Sequence, residues 1–301
     1  MDTPLNLFTP AAPSILTEAQ WQDQQRSHIK RIHPWITGFR QRRKRGLSHP
    51  IYDFLFVYYT APASRLEKWC PGFNICLQGD SAASFLADSR YRRSAQGIQL
   101  DPQRLKTSEL HRFKWIQRLL QSAEQRPPRF NCFGLHEWAM VYRTQTVRHP
   151  QVPLRLSQDA INDVVEQHSI ACSHYDAFRF FTTNAAPRNT LHPNRNNRAA
   201  MEQCGCLHFN MDLYKWAYKL HPWSGSAFIL DTFFLALQAR TIDMQASPYD
   251  LSAYNLEPIK IETPEGRQIY QTKQKAIAKK AAPLRKHLIE LCQAVNPSSA
   301  V

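Results

Sequence analysis

A chain of 301 residues, 43% hydrophobic and with a mean hydropathy of −0.49, can bury a substantial core; this excludes both a disordered chain and a membrane-embedded one. Its formal net charge of +14 points to a polyanionic partner. Nine glycines against twenty prolines favour helices with abrupt stops over glycine-rich turns.

Residues 1–16 carry Asp2 and three prolines with no basic stretch, and read as a loose N-terminal arm and not as a signal peptide. Residues 17–301 are expected to form a single helical domain, with a candidate sub-boundary at 125–130, where Pro127 and Pro128 break the chain. Thr17 caps a first helix with Glu18 in its first turn. Ile29, Ile32, Trp35, Ile36 and Phe39 keep a helical stripe across Pro34, where the helix should pause, and Gly46 is its stop. The exposed side carries Arg26, Lys30, Arg31, Arg40, Arg42, Arg43, Lys44 and Arg45, the densest cationic run in the chain. Aromatic-rich residues 53–69 predict a second helix, 70–99 an irregular stretch and 108–124 another helix. Further helices are expected at 134–142, 158–181, 211–220 and 226–243, and a last one from Thr263, interrupted near Pro283. Strands are few, at 129–132 and 258–261. The predicted fold class is mainly α, a multi-helical globular bundle with few short strands.

The apolar stretches 54–59 and 227–239 are too short to span a bilayer, so no membrane is expected. Seven cysteines without a regular framework or an export signal predict reduced thiols and a cytoplasmic location. The charge is uneven: residues 1–130 are net +10, residues 131–262 net −1 and residues 263–301 net +5. The two basic ends are placed to hold a phosphate backbone around a less charged middle.

Chemistry is therefore sought in the middle. In 134–142, His136 and Glu137 are ionisable groups in an element that is apolar almost all round. A buried carboxylate needs a partner or takes a raised pKa, and either state serves acid–base chemistry; a buried salt bridge is the equal alternative. The zinc-protease spacing fails, because Met140 stands where a second histidine is required. In 158–181, His168, Cys172 and Asp176 are expected on one helical stripe with His174 nearby, a set that could bind metal or polarise a substrate; the alternative is a satisfied core histidine beside an inert packed thiol, the favoured reading of Cys172. Cys204, Cys206 and His208 look metal-like, but no second pair at zinc spacing accompanies them, and no metal is assigned. Asp212 with Trp216 suits a nucleobase pocket, since bases stack on aromatic rings. The loop of Arg188, Asn189, Arg195, Asn197 and Arg198 is a candidate for phosphate or base-edge contacts, with capping of neighbouring helices the equal alternative. No P-loop, dinucleotide fingerprint or nucleophile elbow is present, which argues against the usual nucleotide-dependent chemistry.

The string from His49-Pro50 through Asp53-Phe54-Leu55-Phe56 and Tyr58-Tyr59, the block 132–143, and the stretches 168–182, 211–220 and 246–251 resemble a bacterial family known as 3-methyladenine DNA glycosylase. The resemblance runs from about residue 48 to 285. The glycine-rich hairpin of helix–hairpin–helix glycosylases is absent, so the resemblance implies an activity class and assigns no active-site residue. It implies removal of an alkylated purine from DNA by cleavage of the N-glycosidic bond, without a cofactor. Glu137 is then the first candidate carboxylate, followed by Asp176 and Asp212, with His136 beside it. Trp138, Tyr142 and Trp216 would line the base pocket, with Arg143, His168, His174, Arg179, Arg188 and Asn189 binding substrate. Lys30, Arg31, Arg40, Arg42, Arg43, Lys44 and Arg45 would grip alkylated duplex DNA. The alternatives are an enzyme acting on a free nucleoside, nucleobase or similar metabolite, and a non-catalytic nucleic-acid-binding protein.

Overall fold

The structure, a computed structural model, describes residues 12–145, 147 and 149–295; the first eleven residues of the expected arm lie outside the described residues. Its last part is strand β1 (Ser14–Leu16), paired in parallel with β2 (Ile75–Leu77). The sheet is completed by β3 (Tyr91–Ser94) and β4 (Gly97–Leu100) in the order β1-β2-β4-β3. Three strands thus come from the region 70–99, expected to be irregular. The two stretches expected as strands are loops. The Arg129 amide is satisfied by the Gln203 side chain and the Ile259 amide by the Gln245 carbonyl, and neither joins a ladder.

Helix α1 (Glu18–Lys44) begins on a Thr17–Gln20 capping box and buries Trp21, His28, Ile32 and Ile36. It passes through Pro34 as one helix. The expected helix at 53–69 is two short ones, α2 (Phe54–Tyr58) and α3 (Ala63–Glu67), because Thr60 at φ 48° and Pro62 interrupt it. Helix α4 (Thr107–Glu124) lies where the apolar spacing predicts it. Phe133 and Gly134 both take positive φ and turn the chain sharply into α5 (Leu135–Ala139). A Cβ at Gly134 would press on Ala246 at 3.2 Å, so the turn also depends on its close approach.

Helix α6 (Gln158–Gln167) ends where His168 adopts extended backbone. The segment beyond is extended, bridged at Ile170 to Asn189, before the short α7 (Tyr175–Phe178). His168, Cys172 and Asp176 therefore do not share a helical stripe, which corrects the sequence expectation. Asn189 holds the Cys172 amide at 2.8 Å and its carbonyl at 2.9 Å, satisfying the backbone that a continued helix would have used.

Then come α8 (Arg198–Met201), α9 (Leu207–Lys219), α10 (Ser226–Gln245) and α11 (Pro264–Val295), the last running through Pro283. Helix α9 is buried everywhere except at Lys215 and Lys219. It packs on α10 and α11, with α4 against α11 and α1 against α10. The fold is mainly α with one small sheet. Among the described residues, no helix is long and apolar enough to cross a membrane.

Candidate active site

Three elements place ionisable groups in the interior. Helix α5 offers His136 and Glu137, α9 offers His208, Asp212 and Lys215, and α10 offers Arg240 and Asp243. The α9 spacing of four then three residues puts its groups on one face. Arg240 Nη1 donates to Glu137 Oε1 at 2.7 Å and to Asp243 Oδ2 at 2.5 Å, and Arg240 Nη2 lies 3.0 Å from His149 Nε2. His136 Nε2 meets Asp243 Oδ1 at 2.8 Å, and His208 Nε2 lies 3.4 Å from Asp243 Oδ2.

The second half of the network is continuous with the first. The His208 ring stacks on His174 with centroids 5.5 Å apart and meets His136 edge-on at 4.4 Å. His174 Nδ1 pairs with Glu202 Oε2 at 2.9 Å, leaving Nε2 4.0 Å from Asp212 Oδ2. Arg198 and Lys215 both clamp Asp176 and Asp212, at 2.8 to 3.0 Å. Of the predicted residues, His136, Glu137, His174, Asp176 and Asp212 are thus brought together.

Burial works against every ionised group here, and the partners decide the outcome. Against burial, Arg240 holds the Glu137 carboxyl below its ordinary value. Lys215, His174 and Arg198 do the same for Asp212, and Lys215 and Arg198 for Asp176. Asp243 is held well below the usual range, chiefly by His208 and His136 in opposition to burial. Burial lowers the His208 pKa, whereas Asp243 overcomes burial at His136 and raises it. The network therefore gathers five carboxylates (Glu137, Asp176, Glu202, Asp212, Asp243) around four permanent cations (Arg179, Arg198, Lys215, Arg240) and the imidazoles of His136, His174 and His208.

Among the described residues, Glu137 Oε2 and Asp212 Oδ1 are buried with no hydrogen bond. Glu137 lines a cleft of about 20 Å³ together with Phe54, Tyr58, Asp176, Phe180 and His208, enough room for one water. Phe54 and Tyr58, stacked at 4.7 Å, form the wall it shares with an outer pocket of about 340 Å³ that reaches His49, Asp53 and His149.

Two triads, His136–His208–Asp243 and His174–Asp176–Asp212, bring donor atoms within 4.8 Å of one another, as metal ligands do. In both, however, the carboxylates are already compensated by the chain's own cations: Arg240 on Asp243, and Arg198 with Lys215 on Asp176 and Asp212. The Cys204, Cys206 and His208 run forms no metal-sized group among the described residues. The Cys204 thiol donates to the Ala123 carbonyl, and His208 turns to Asp243.

The other predicted residues are elsewhere. Trp138 is fully buried, with Nε1 on the Ala246 carbonyl, so its ring is core and not a stacking surface. Tyr142 and Arg143 both bind Glu166 Oε1 at 2.7 Å, and Arg188 donates to the Glu166 carbonyl. His168 donates from Nδ1 to the Val164 carbonyl and accepts Arg267 at Nε2. Asn189 fastens backbone. Trp216 is 3% exposed, beneath Lys215 and Lys219. Arg179 stands at the rim, 3.5 Å from Asp176. In α1, Arg26, Arg31, Arg40 and Arg42 are paired with Asp23, Asp231, Glu67 and Asp53. Among the described residues this leaves Lys30, Arg43, Lys44 and Arg45 as the cations of that run without an ion pair. Sequence reasoning missed Arg240, Glu202, Phe54 and Tyr58 as parts of the site. An arginine inside the otherwise apolar 226–245 helix, one turn before Asp243, was the available signal. Comparison with protein-family models, with curated proteins and with solved structures found no match for this chain.

Proposed function

We propose that the chain is a hydrolase that cleaves the N-glycosidic bond of an alkylated, positively charged purine in DNA. The carrying observation is Oε2 of Glu137, a buried carboxylate oxygen with no hydrogen bond among the described residues, on a side chain that lines the cleft. A buried carboxylate oxygen left without a donor favours a cationic guest. Glu137 is ionised, so it acts as a base or as a counter-charge and not as an acid. This matches a leaving group that already carries its positive charge. Water adds to the anomeric carbon, the C–N bond breaks with its electron pair going to the base, and the water proton passes to Glu137. The carboxylate also steadies the oxocarbenium character that develops as the bond lengthens.

The Phe54–Tyr58 wall offers the aromatic surface on which an extruded base stacks. The unpaired cations at the end of α1 lead within a few residues into Ser48 and His49 of the outer pocket, which supports a phosphate backbone at its mouth. A free alkylated nucleoside is the second reading, favoured by the 340 Å³ of that pocket. Base release from methylated duplex DNA by the wild type, falling about 10²- to 10⁴-fold in Glu137→Gln, is the expected result. Absence of release by the wild type would sink the proposal, and release from free nucleosides alone would establish the second reading.

A further inference from the structure

Of the seven tryptophans, only Trp115 is exposed, at 43%. It stands on the outer face of α4 with His111, Arg112 and Arg118, all exposed and three or four residues away. Its ring meets Trp216 edge-on at 5.1 Å. Arg112 reaches across to the Lys219 carbonyl at 3.3 Å, and the Lys219 ammonium lies 5.4 Å from the Trp216 centroid. Two helices thereby frame one exposed indole with Arg112, Arg118 and Lys219.

None of these three cations has a carboxylate at ion-pair distance among the described residues. The two acidic side chains of α4 are turned elsewhere, Glu109 to Arg90 and Glu124 to Arg285. The Lys219 pKa is lowered, first by burial and then by the neighbouring Lys215 and Arg112. This surface lacks negative charge, in contrast to α1, where half of the expected cations are internally paired.

The geometry points to this face as a binding surface for a nucleic-acid strand, with an unpaired base stacked on Trp115 and flanking phosphates on Arg112, Arg118 and Lys219. A planar aromatic ring among unpaired cations fits both the bases and the backbone of a single strand, whereas an acidic peptide would use the charges and leave the indole idle. The surface lies one layer from the cleft: Lys215 sits 4.5 Å over Trp216 and reaches Asp176 at 2.8 Å. The inference shares with the proposed function only its nucleic-acid partner and does not depend on base release.

The test measures anisotropy of a fluorescein-labelled oligothymidylate with the full chain. The variants are Trp115→Ala and the triple Arg112→Ser/Arg118→Ser/Lys219→Ser, each checked for an unchanged melting temperature. Trp115→Ala should weaken binding by about five-fold or more. The triple variant should weaken it further and lower the slope of log affinity against log salt by about 2, since three side chains then no longer neutralise phosphates. Binding with these variant effects by a chain that releases no base keeps the inference and sinks only the proposed function. No binding by the wild type, or binding unchanged in the two variants, overturns the inference. So does an effect of the triple variant alone, because stacking is then absent.

Discussion

Arg240 is 1% exposed and reaches Glu137 and Asp243 with one nitrogen and the imidazole of His149 with the other. Removing it leaves two carboxylates buried with their desolvation uncompensated, the costly half of a buried pair. Arg240→Met should therefore lower unfolding free energy by about 3–5 kcal/mol, read from the urea midpoint. Arg240→Lys keeps the charge but loses the fork, and should fall between Met and the wild type. A stability within error of the wild type in the Met variant would show that the network is hydrated. The residues around Arg240 were unequally legible. His136 and Glu137 stand out because two ionisable groups adjoin in an apolar run. Arg240 does not, because its partner Glu137 is 103 residues away and the surrounding residues read as a core helix. Trp138 and Trp216 misled for a related reason: aromatic residues at helical spacing suit both a core and a pocket, and only tertiary packing decides between them.

At the scale of elements, the helices with strong local signals are the ones the sequence makes legible. Helix α4 has its apolar stripe and α1 its Thr17 capping box. The misread elements are those decided at a distance. Residues 168–174 carry a helical pattern, yet Asn189 takes the Cys172 backbone, and the strands at 75–100 are held by cross-chain pairing that no local period announces. Helix α11 illustrates how tightly one such long-range fit can constrain an element. Its first turn has Gly266 donating to Thr263 Oγ1 at 3.0 Å, and a Cβ at Gly266 would overlap the Lys260 carbonyl. A helix interior normally gains from a glycine-to-alanine change. Here steric overlap with backbone outweighs that gain, and Gly266→Ala should destabilise by about 2–3 kcal/mol, measured by urea denaturation. A stabilised variant would mean that the 260–263 turn can move aside.

Across the whole molecule the charge divides as the sequence suggests, with basic ends and a nearly neutral middle, but the interior of that middle is far from neutral locally. The consequence for acid stability comes from the histidines. Burial lowers the pKa of His28, His208, His49 and His221, the last two to about 4. His49 Nδ1 accepts the Ile51 and Tyr52 amides, contacts that a proton would break. His221 faces Arg65 and Arg90, and its Nε2 is buried without a hydrogen bond among the described residues. In the unfolded chain all four take up protons near pH 6.5, while the folded chain refuses them. The unfolded state then binds more protons, and stability falls as pH drops from about 6.5 towards 4. His136 has the opposite sign: its raised pKa adds stability below 6.5, which is lost as pH rises through the folded value. That gain is complete by about pH 6.5, so the slope below it is set by the four lowered histidines and is a loss on acidification. The depressed carboxylates Glu137, Asp176, Asp212 and Asp243 add their own loss as pH falls below about 5, where the unfolded carboxyls begin to take up protons. The melting temperature should therefore decline steadily between pH 6.5 and pH 4.5, beginning above the range in which the depressed carboxylates contribute. His221→Gln combined with His49→Asn should flatten that decline while leaving the steeper loss below pH 4 in place. A melting temperature constant down to about pH 4.5 in the wild type would show that these imidazoles are reached by water and protonate freely in the folded chain.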